Sequence, residues 1–399
     1  MLDFDSARQR FLEVAVRVAS EPLAVSAAAG RVLAEPLFAM RAVPEFDTSA
    51  MDGYAIHCDD AKSLPFRLPV VGEAPAGGAP ARLQRATAMR IFTGAAMPEG
   101  GNAVVMQEHV DRDGLTISSN RAVAPGQHVR HRGEDLAASA MAVDRGQRLH
   151  PTTLALVSFL DRARVQVARA PKVTILCTGS ELRRPGAPQR PFTIAESNST
   201  TIALLAQQAG AVVHATRIID DDQSRIEAAI VQALADSDVL VTIGGVSVGD
   251  YDFVRPALER ADVVLDLYQV GIKPGKPITL GRRDNKVVVG LPGNPVSAVI
   301  TFALFAMPLL RAMQGDRSAI PVPTWVPLGN PVKPDAKRTR VVLGNLIRHQ
   351  TSSRFVAHAN QTSGATIALG QTDGFVILEA ALETAAAGTL QPFHRWTDL

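Results

Sequence analysis

The amino-acid sequence predicts a multidomain α/β protein built around a three-layer domain with a parallel-rich sheet. Three observations carry that prediction. The chain has 399 residues, enough for several separate cores. Between Pro171 and Gly315, apolar β-type runs alternate with helical repeats, the pattern of parallel βαβ units. On either side, from Pro44 to about Asp135 and again after Gly315, the texture changes to short Val/Ile/Leu runs divided by turn residues, which reads as separate β-rich parts.

In chain order, Ser6 to Ala19 reads as a helix with one buried face, because Phe11, Leu12, Ala15, Val16 and Ala19 fall at helical spacing. After the β-rich segment, Leu149 to Leu160 returns to a helical pattern. It is expected to pack beside the N-terminal helix, which makes the β-rich segment an insertion. The alternating region predicts strands at Val173–Cys177, Val212–Ile219 and Asp238–Ile243, helices at Ser199–Gln208 and Gln223–Ala235, and a closing helix Val296–Met313. Right-handed crossovers put the binding loops at the carboxyl ends of those strands. A proline-rich linker from Pro321 to Pro334 then leads into short strands near Val341, Phe355 and Phe375–Leu378, a small closing β domain.

Hydrophobic residues make up 46% and charged residues 20% of the chain, which excludes disordered and fibrous classes. A net charge of +2 is too small for a general nucleic-acid binder. Only two cysteines, Cys58 and Cys177, are present, so neither a disulfide framework nor a four-cysteine zinc site can form within the chain. With the acidic N-terminus Met1-Leu2-Asp3-Phe4-Asp5, this leads us to expect a cytoplasmic protein. The uncharged run Val287–Leu310 is broken by Gly290, Pro292, Gly293 and Pro295, leaving one buried helix rather than a membrane span.

Chemistry is expected at the strand-end loops. The run Gly244-Gly245-Val246-Ser247-Val248-Gly249-Asp250-Tyr251-Asp252 follows a strand, and its glycines let backbone N–H groups approach a phosphate. The same letters contain Gly-x-Ser-x-Gly, a nucleophile elbow, although Asp250 and Asp252 would place negative charge beside an oxyanion hole. A tight turn with surface aspartates is the third reading. The turn Gly271-Ile272-Lys273-Pro274-Gly275-Lys276-Pro277 misses the spacing of a phosphate loop; it is either a stiff clamp for an oxyanion or a solvated basic turn. In Leu291-Pro292-Gly293-Asn294-Pro295, Asn294 is an N-cap and Pro295 the first helical residue, giving an anion site or ordinary capping. Acidic residues recur at Asp52, Glu134, Asp135, Glu181 and Asp220-Asp221-Asp222; singly they suit turns and caps, and converging they would bind Mg²⁺.

Taken together, seven ordered segments resemble the molybdopterin molybdenumtransferase family, which includes bacterial MoeA and the gephyrin E-domain. They are Phe46-Asp47-Thr48-Ser49-Ala50-Met51-Asp52-Gly53-Tyr54-Ala55, Ile91-Phe92-Thr93-Gly94-Ala95, Arg132-Gly133-Glu134-Asp135, Thr178-Gly179-Ser180-Glu181-Leu182, Gly244 to Asp250, Lys273-Pro274-Gly275-Lys276-Pro277 and Leu291-Pro292-Gly293-Asn294-Pro295-Val296-Ser297-Ala298. The resemblance implies four domains: a discontinuous helical bridge (residues 1–43 and 138–170), an inserted β domain (44–137), an α/β domain similar to the molybdopterin adenylyltransferases of the MogA type (171–317), and a C-terminal β-barrel-like domain (318–399). It further implies a transferase that takes adenylylated molybdopterin and molybdate, needs Mg²⁺, and yields molybdenum cofactor and AMP. A molybdopterin adenylyltransferase would act upstream. A homodimer is implied in which Asp52, Thr93 and Asp135 of one subunit complete the site of the other.

By the same resemblance, Glu181, Asp221 and Asp252 would bind Mg²⁺ and orient the nucleotide. Gly244, Gly245, Ser247, Gly249 and Asp250 would cradle pterin and phosphates together with Pro292, Asn294 and Pro295. Molybdate would sit against Lys273, Lys276, Ser297, Arg340 and Ser363, with Arg338 as a competitor for Arg340. Two departures stand out: Gln269 occupies a position where many members carry lysine, and Ile243 one where many carry serine. Two other classes of function stay open, a molybdopterin-binding scaffold without turnover and a Ser247 hydrolase drawing on Asp262, Asp266 or Asp284 with His349 or His358.

Overall fold

The computed structural model describes residues 1–245, 253–349, 352–380 and 382–399, and these divide into two units, each with its own core. The larger comprises Met1–Glu35, Arg145–Leu154 and Ala163–Leu399, the smaller Pro36–Asp144 and Ala155–Arg162.

The larger unit opens with α1 (Phe4–Glu13) and β1 (Ser20–Ala24), and continues after the insertion with β2 (Arg164–Ala168). Next come β3 (Lys172–Thr178), α2 (Asn198–Gln208), β4 (Val212–Ile219), α3 (Gln223–Asp236), β5 (Val239–Ile243), α4 (Val254–Arg260), β6 (Val264–Gln269), β7 (Ile272–Lys273), β8 (Pro277–Arg283) and β9 (Lys286–Leu291). The sheet runs in the order β4-β3-β5-β9-β8-β6. The first four strands are mutually parallel, and β8 and β6 are added antiparallel. Central strands β3, β5 and β9 are covered on both faces, which explains their unbroken apolar runs, whereas the edge strand β4 carries His214, Thr216 and Arg217 among its apolar residues. Val173, Ile175 and Cys177 face α2, while Leu176 faces α3 and α4, giving three layers.

Helix α5 (Pro295–Met313) is continuous, with a π turn at Phe302–Ala306. It is the one described helix long and apolar enough to cross a membrane, and it is buried in the protein core. The N-terminal helix ends at Glu13, six residues before the expected Ala19. Its buried face of Phe4, Ala7 and Phe11 packs on α5 through Phe305, at ring separations of 5.5 and 5.3 Å. The segment that returns from the insertion is held by the β1–β2 antiparallel ladder, which pairs Ser20 with Ala168 and Ala24 with Arg164. A repeat of apolar residues shows that a face is buried, not which partner buries it.

Strands β10 (Thr324–Pro327), β11 (Thr339–His349), β12 (Ser352–Ala357), β13 (Gly374–Leu378) and β14 (Leu390–Arg395) form a ring. The ladders β12-β11-β13-β14-β10 are antiparallel, and a bridge between Leu328 and Phe355 closes β10 onto β12. Val326, Leu328, Phe355, Val376 and Phe393 fill it. Strand β7 adds to β11 in parallel, which sets Lys273 beside Arg340.

In the smaller unit, six strands lie in the order Ala103–Met106, Gly53–Ile56, Ala88–Ile91, Phe66–Ala74, Thr116–Ser119 and Asp111–Asp113. One core includes Tyr54, Ile56, Phe66 and Ile117, and a second includes Ala55, Met89, Ile91 and Val104. The unit is wider than the expected segment 44–137.

Candidate functional site

Parallel strands β3, β4, β5 and β9 deliver their carboxyl ends to one edge of the sheet. Their loops line a cleft of about 550 Å³ that contains Glu181, Asp221, Gly244, Gly245, Pro292 and Asn294. Glycine is required at the base: Gly244 and Gly245 have φ of +87° and +63°, and a Cβ on Gly245 would lie 2.4 Å from the Val254 side chain. The loops after β3 and β4 are tied reciprocally. The Ser180 N–H donates to Asp221 Oδ2, and the Asp221 N–H donates to Ser180 Oγ, both at 3.0 Å. The Glu181 carboxylate folds over Gly179, where a Cβ would come within 2.5 Å of Oε2. Among the described residues, no cationic side chain pairs with Glu181 or Asp221. Two hard oxygen donor groups are thus held without a countercharge on one cleft, a donor set that fits Mg²⁺.

Beside that cleft stands the basic turn. Asn294 caps α5 and Pro295 opens it, as expected. The helix end is less open than expected for an anion site, because the Val296 N–H donates to the Ser363 carbonyl at 3.0 Å. Ser363 therefore meets α5 through its main chain, one residue from the buried Ser297. Gly275 has φ of +110°, and a Cβ there would lie 2.4 Å from the Thr301 methyl, so the Lys273–Lys276 turn seats on the first turns of α5. Lys273 and Lys276 are exposed. Lys273 Nζ lies 3.6 Å from Asp335, which Arg338 also engages at 3.0 Å. Arg340 donates to the Lys333 carbonyl. Of the five residues assigned to molybdate, Ser297 and the Ser363 carbonyl lie at this helix end and Lys273 pairs in register with Arg340, while both Lys273 and Arg338 engage Asp335.

The smaller unit carries the other acidic group. Asp52 Oδ1 accepts from both the N–H and the hydroxyl of Thr93 at 2.8 Å. These two donors, with nearby Arg90, hold the Asp52 carboxyl below the usual carboxylate range. Asp135 is paired with Arg130, which also binds Glu134 at 2.7 Å. Ser247, Gly249, Asp250 and Asp252 lie outside the described residues.

Several positions carry more than the sequence reading assigned them. Glu196 is buried in the cleft wall and accepts from the Ser199 N–H at 2.8 Å and from its hydroxyl. Asn198 Nδ2 donates to the Gly293 carbonyl at 2.8 Å, tying the start of α2 to the turn before α5. The run Glu196-Ser197-Asn198-Ser199 before a helical repeat is a capping signal that could have found both. Burial and the Glu196 carboxylate push the Cys177 thiol up, so it stays protonated. Ile243 belongs to the core, and Gln269 is exposed opposite Pro277 on the neighbouring strand. Of the partners considered for a Ser247 nucleophile, Asp266 lies 3.6 Å from Arg282, and the His358 ring accepts from the Asn360 N–H at 3.1 Å.

Three family models match: the MoeA N-terminal region (domain I and II) over residues 2–160, a probable molybdopterin binding domain over 174–312, and the MoeA C-terminal region (domain IV) over 326–395. The chain is 37% identical over 321 residues to a molybdopterin molybdenumtransferase of Haemophilus influenzae, covering 79% of each protein. It is 34% identical over 364 residues to one of Nostoc sp., covering 88% of this chain and 83% of the relative. A crystal structure of the molybdopterin biosynthesis moeA protein from Pyrococcus horikoshii OT3 superposes with a TM-score of 0.87 at 27% identity, covering 99% of this chain and 100% of that one.

Proposed function

The chain belongs to the molybdopterin molybdenumtransferase family, transferases of molybdenum-cofactor biosynthesis, and on that premise we propose that it inserts molybdate into adenylylated molybdopterin in a Mg²⁺-dependent reaction that releases AMP. The observation that supports this reading is the pair of acidic groups Glu181 and Asp221, held without countercharge on the strand-end loops of one cleft, in a unit whose Lys273–Lys276 turn packs on α5 and pairs Lys273 in register with Arg340.

Cleavage of a phosphoanhydride needs neutralisation of the pyrophosphate and an oxyanion held near the reacting phosphorus. Glu181 and Asp221, with Asp252, would hold Mg²⁺, which offsets phosphate charge when bound. The Gly244-Gly245 turn leaves main chain open to approach the phosphates, and the resemblance assigns Ser247, Gly249 and Asp250 to the same cradle. Pro292, Asn294 and Pro295 shape the opposite wall. Lys273, Lys276 and Arg340 attract the tetrahedral dianion, while Ser297 and Ser363 border it. Asp52, Thr93 and Asp135 act in trans across a homodimer, and a molybdopterin adenylyltransferase supplies the adenylylated substrate. Two buried free cysteines suit a reducing cytoplasm.

Purified protein with Mg²⁺ is to be assayed for AMP release from adenylylated molybdopterin without oxyanion, with molybdate and with tungstate, the product being scored by reconstitution of a cofactor-free molybdoenzyme. Molybdate-dependent AMP release with an active product is expected. Binding of the substrate with no AMP under any condition would overturn the reading in favour of a scaffold.

A further inference from the structure

Arg90 is held on every side in the smaller unit. It lies on the strand Ala88–Ile91, directly opposite Tyr54 on the neighbouring antiparallel strand. Its guanidinium carbon stands 5.2 Å from the centre of the Tyr54 ring and 5.0 Å from that of Phe92. Nη1 donates to the Gly53 carbonyl at 3.2 Å, and Nη2 to Gln107 Oε1 at 2.5 Å. A guanidinium with its planar fork and its ring contacts committed in this way is poorly placed to seize a phosphate.

These commitments converge on one short segment. The Gln107 N–H donates to the Asp52 carbonyl at 3.1 Å, while Arg90 engages the next carbonyl, that of Gly53. On the opposite side there is no slack: a Cβ on Gly53 would lie 2.0 Å from the Val105 carbonyl oxygen. The Asp52 side chain is fixed in turn by Thr93 through Oδ1. Among the described residues Oδ2 accepts no hydrogen bond, and Asp52 is exposed. One carboxylate oxygen is therefore presented outward from a segment whose main chain and other oxygen are pinned.

We propose that Arg90 is a positioning residue of the reaction: by gripping the Gly53 carbonyl and Gln107, it aims the free Oδ2 of Asp52 and supplies a fixed positive charge behind it, without touching substrate. The inference rests on the transferase reading, within which Asp52 reaches the reacting groups. Misplacing a catalytic group by about 1 Å can cost on the order of a hundredfold in rate.

The test begins with wild-type AMP release; if that is absent, the transferase reading is at fault and Arg90 is not the cause. With an active wild type, Arg90→Lys keeps the charge but loses the fork and the ring contacts. It is expected to lower kcat by about tenfold to a hundredfold with KM within about twofold, the pattern of an interaction that matters in the transition state. Arg90→Gln removes the charge, and should raise the pH at which activity falls on the acid side. The Asp52 carboxyl signal, identified by its loss in Asp52→Asn, should titrate at higher pH in Arg90→Gln by carboxyl NMR, a readout independent of turnover. Should Arg90→Gln not fold, Gln107→Leu removes the Nη2 acceptor while keeping the backbone N–H to Asp52, and is expected to lower kcat several-fold. Wild-type kcat in Arg90→Lys, an unmoved Asp52 titration in Arg90→Gln, or a rise in KM with kcat unchanged would each overturn the assignment, the last by making Arg90 a substrate contact.

Discussion

The two sets of acidic residues differ in the cations that stand around them. In the smaller unit, Asp135 is neutralised by Arg130, and Asp52 has Thr93 bonded to one oxygen with Arg90 close by. In the larger unit, Asp221 is held by the Ser180 N–H, Glu181 folds over Gly179, and neither has a described cationic partner. A carboxylate already paired with a cation has little to offer a metal ion. One held by neutral groups keeps its full charge for it. On the proposed reading, metal binding falls to Glu181 and Asp221, and orientation of reacting groups to Asp52 and Asp135, whose surroundings already hold Arg90 and Arg130.

The heaviest loss should come from the uncompensated set. Asp221→Ala is expected to lower AMP release by about a thousandfold or more, since charge stabilisation at a phosphoryl centre is usually the largest catalytic contribution. Single-turnover kinetics measure it. A loss confined to a few-fold would break the comparison at its strongest point. Next, on the proposed homodimer with its site shared between subunits, Asp52→Ala and Asp221→Ala, each inactive alone, should recover up to about a quarter of wild-type activity after subunit exchange, because a mixed dimer would keep one intact site. No recovery despite proven exchange would place both residues in one subunit's site.

A smaller effect is expected from Gly245→Ala. Its Cβ meets Val254 and its backbone has positive φ, so about 1–3 kcal/mol of stability should be lost, read by denaturant unfolding. The smallest is a shift of pH dependence. Asp52 has its carboxyl pKa lowered, so activity that needs its charged form persists above that pKa and is lost as pH falls through it. Thr93→Val removes the hydroxyl donor while leaving the N–H, so the acid limb should move to higher pH. A limb that stays in place would mean that another group sets it.

Much of the larger unit's fold was legible because its signals are local. The β-branched run Val212–Ile219 between two helical repeats marks a strand, and Asn294-Pro295 marks the start of α5 within one residue. Pairings between distant segments were not legible. Nothing near Phe4 or Phe11 announces Phe305 as their partner, and nothing near Ser363 announces that its carbonyl closes part of the α5 N-terminus. At the site, glycine and acidic loops could be read singly. That Lys273 stands beside Arg340 follows only from the parallel pairing of β7 with β11. Glu196 gives no site signal in the sequence because a carboxylate two residues before a helix reads as a cap, and it is one, in the wall of the cleft.

The most direct test of a division of labour between the two acidic sets is the Mg²⁺ dependence of AMP release in Asp221→Asn and Asp52→Asn, measured against wild type. Asp221→Asn should need at least about tenfold more Mg²⁺ for half-maximal rate, as befits loss of a ligand charge, while Asp52→Asn should lower the maximal rate at an unchanged Mg²⁺ requirement. An unchanged requirement in Asp221→Asn with a raised one in Asp52→Asn would contradict the account.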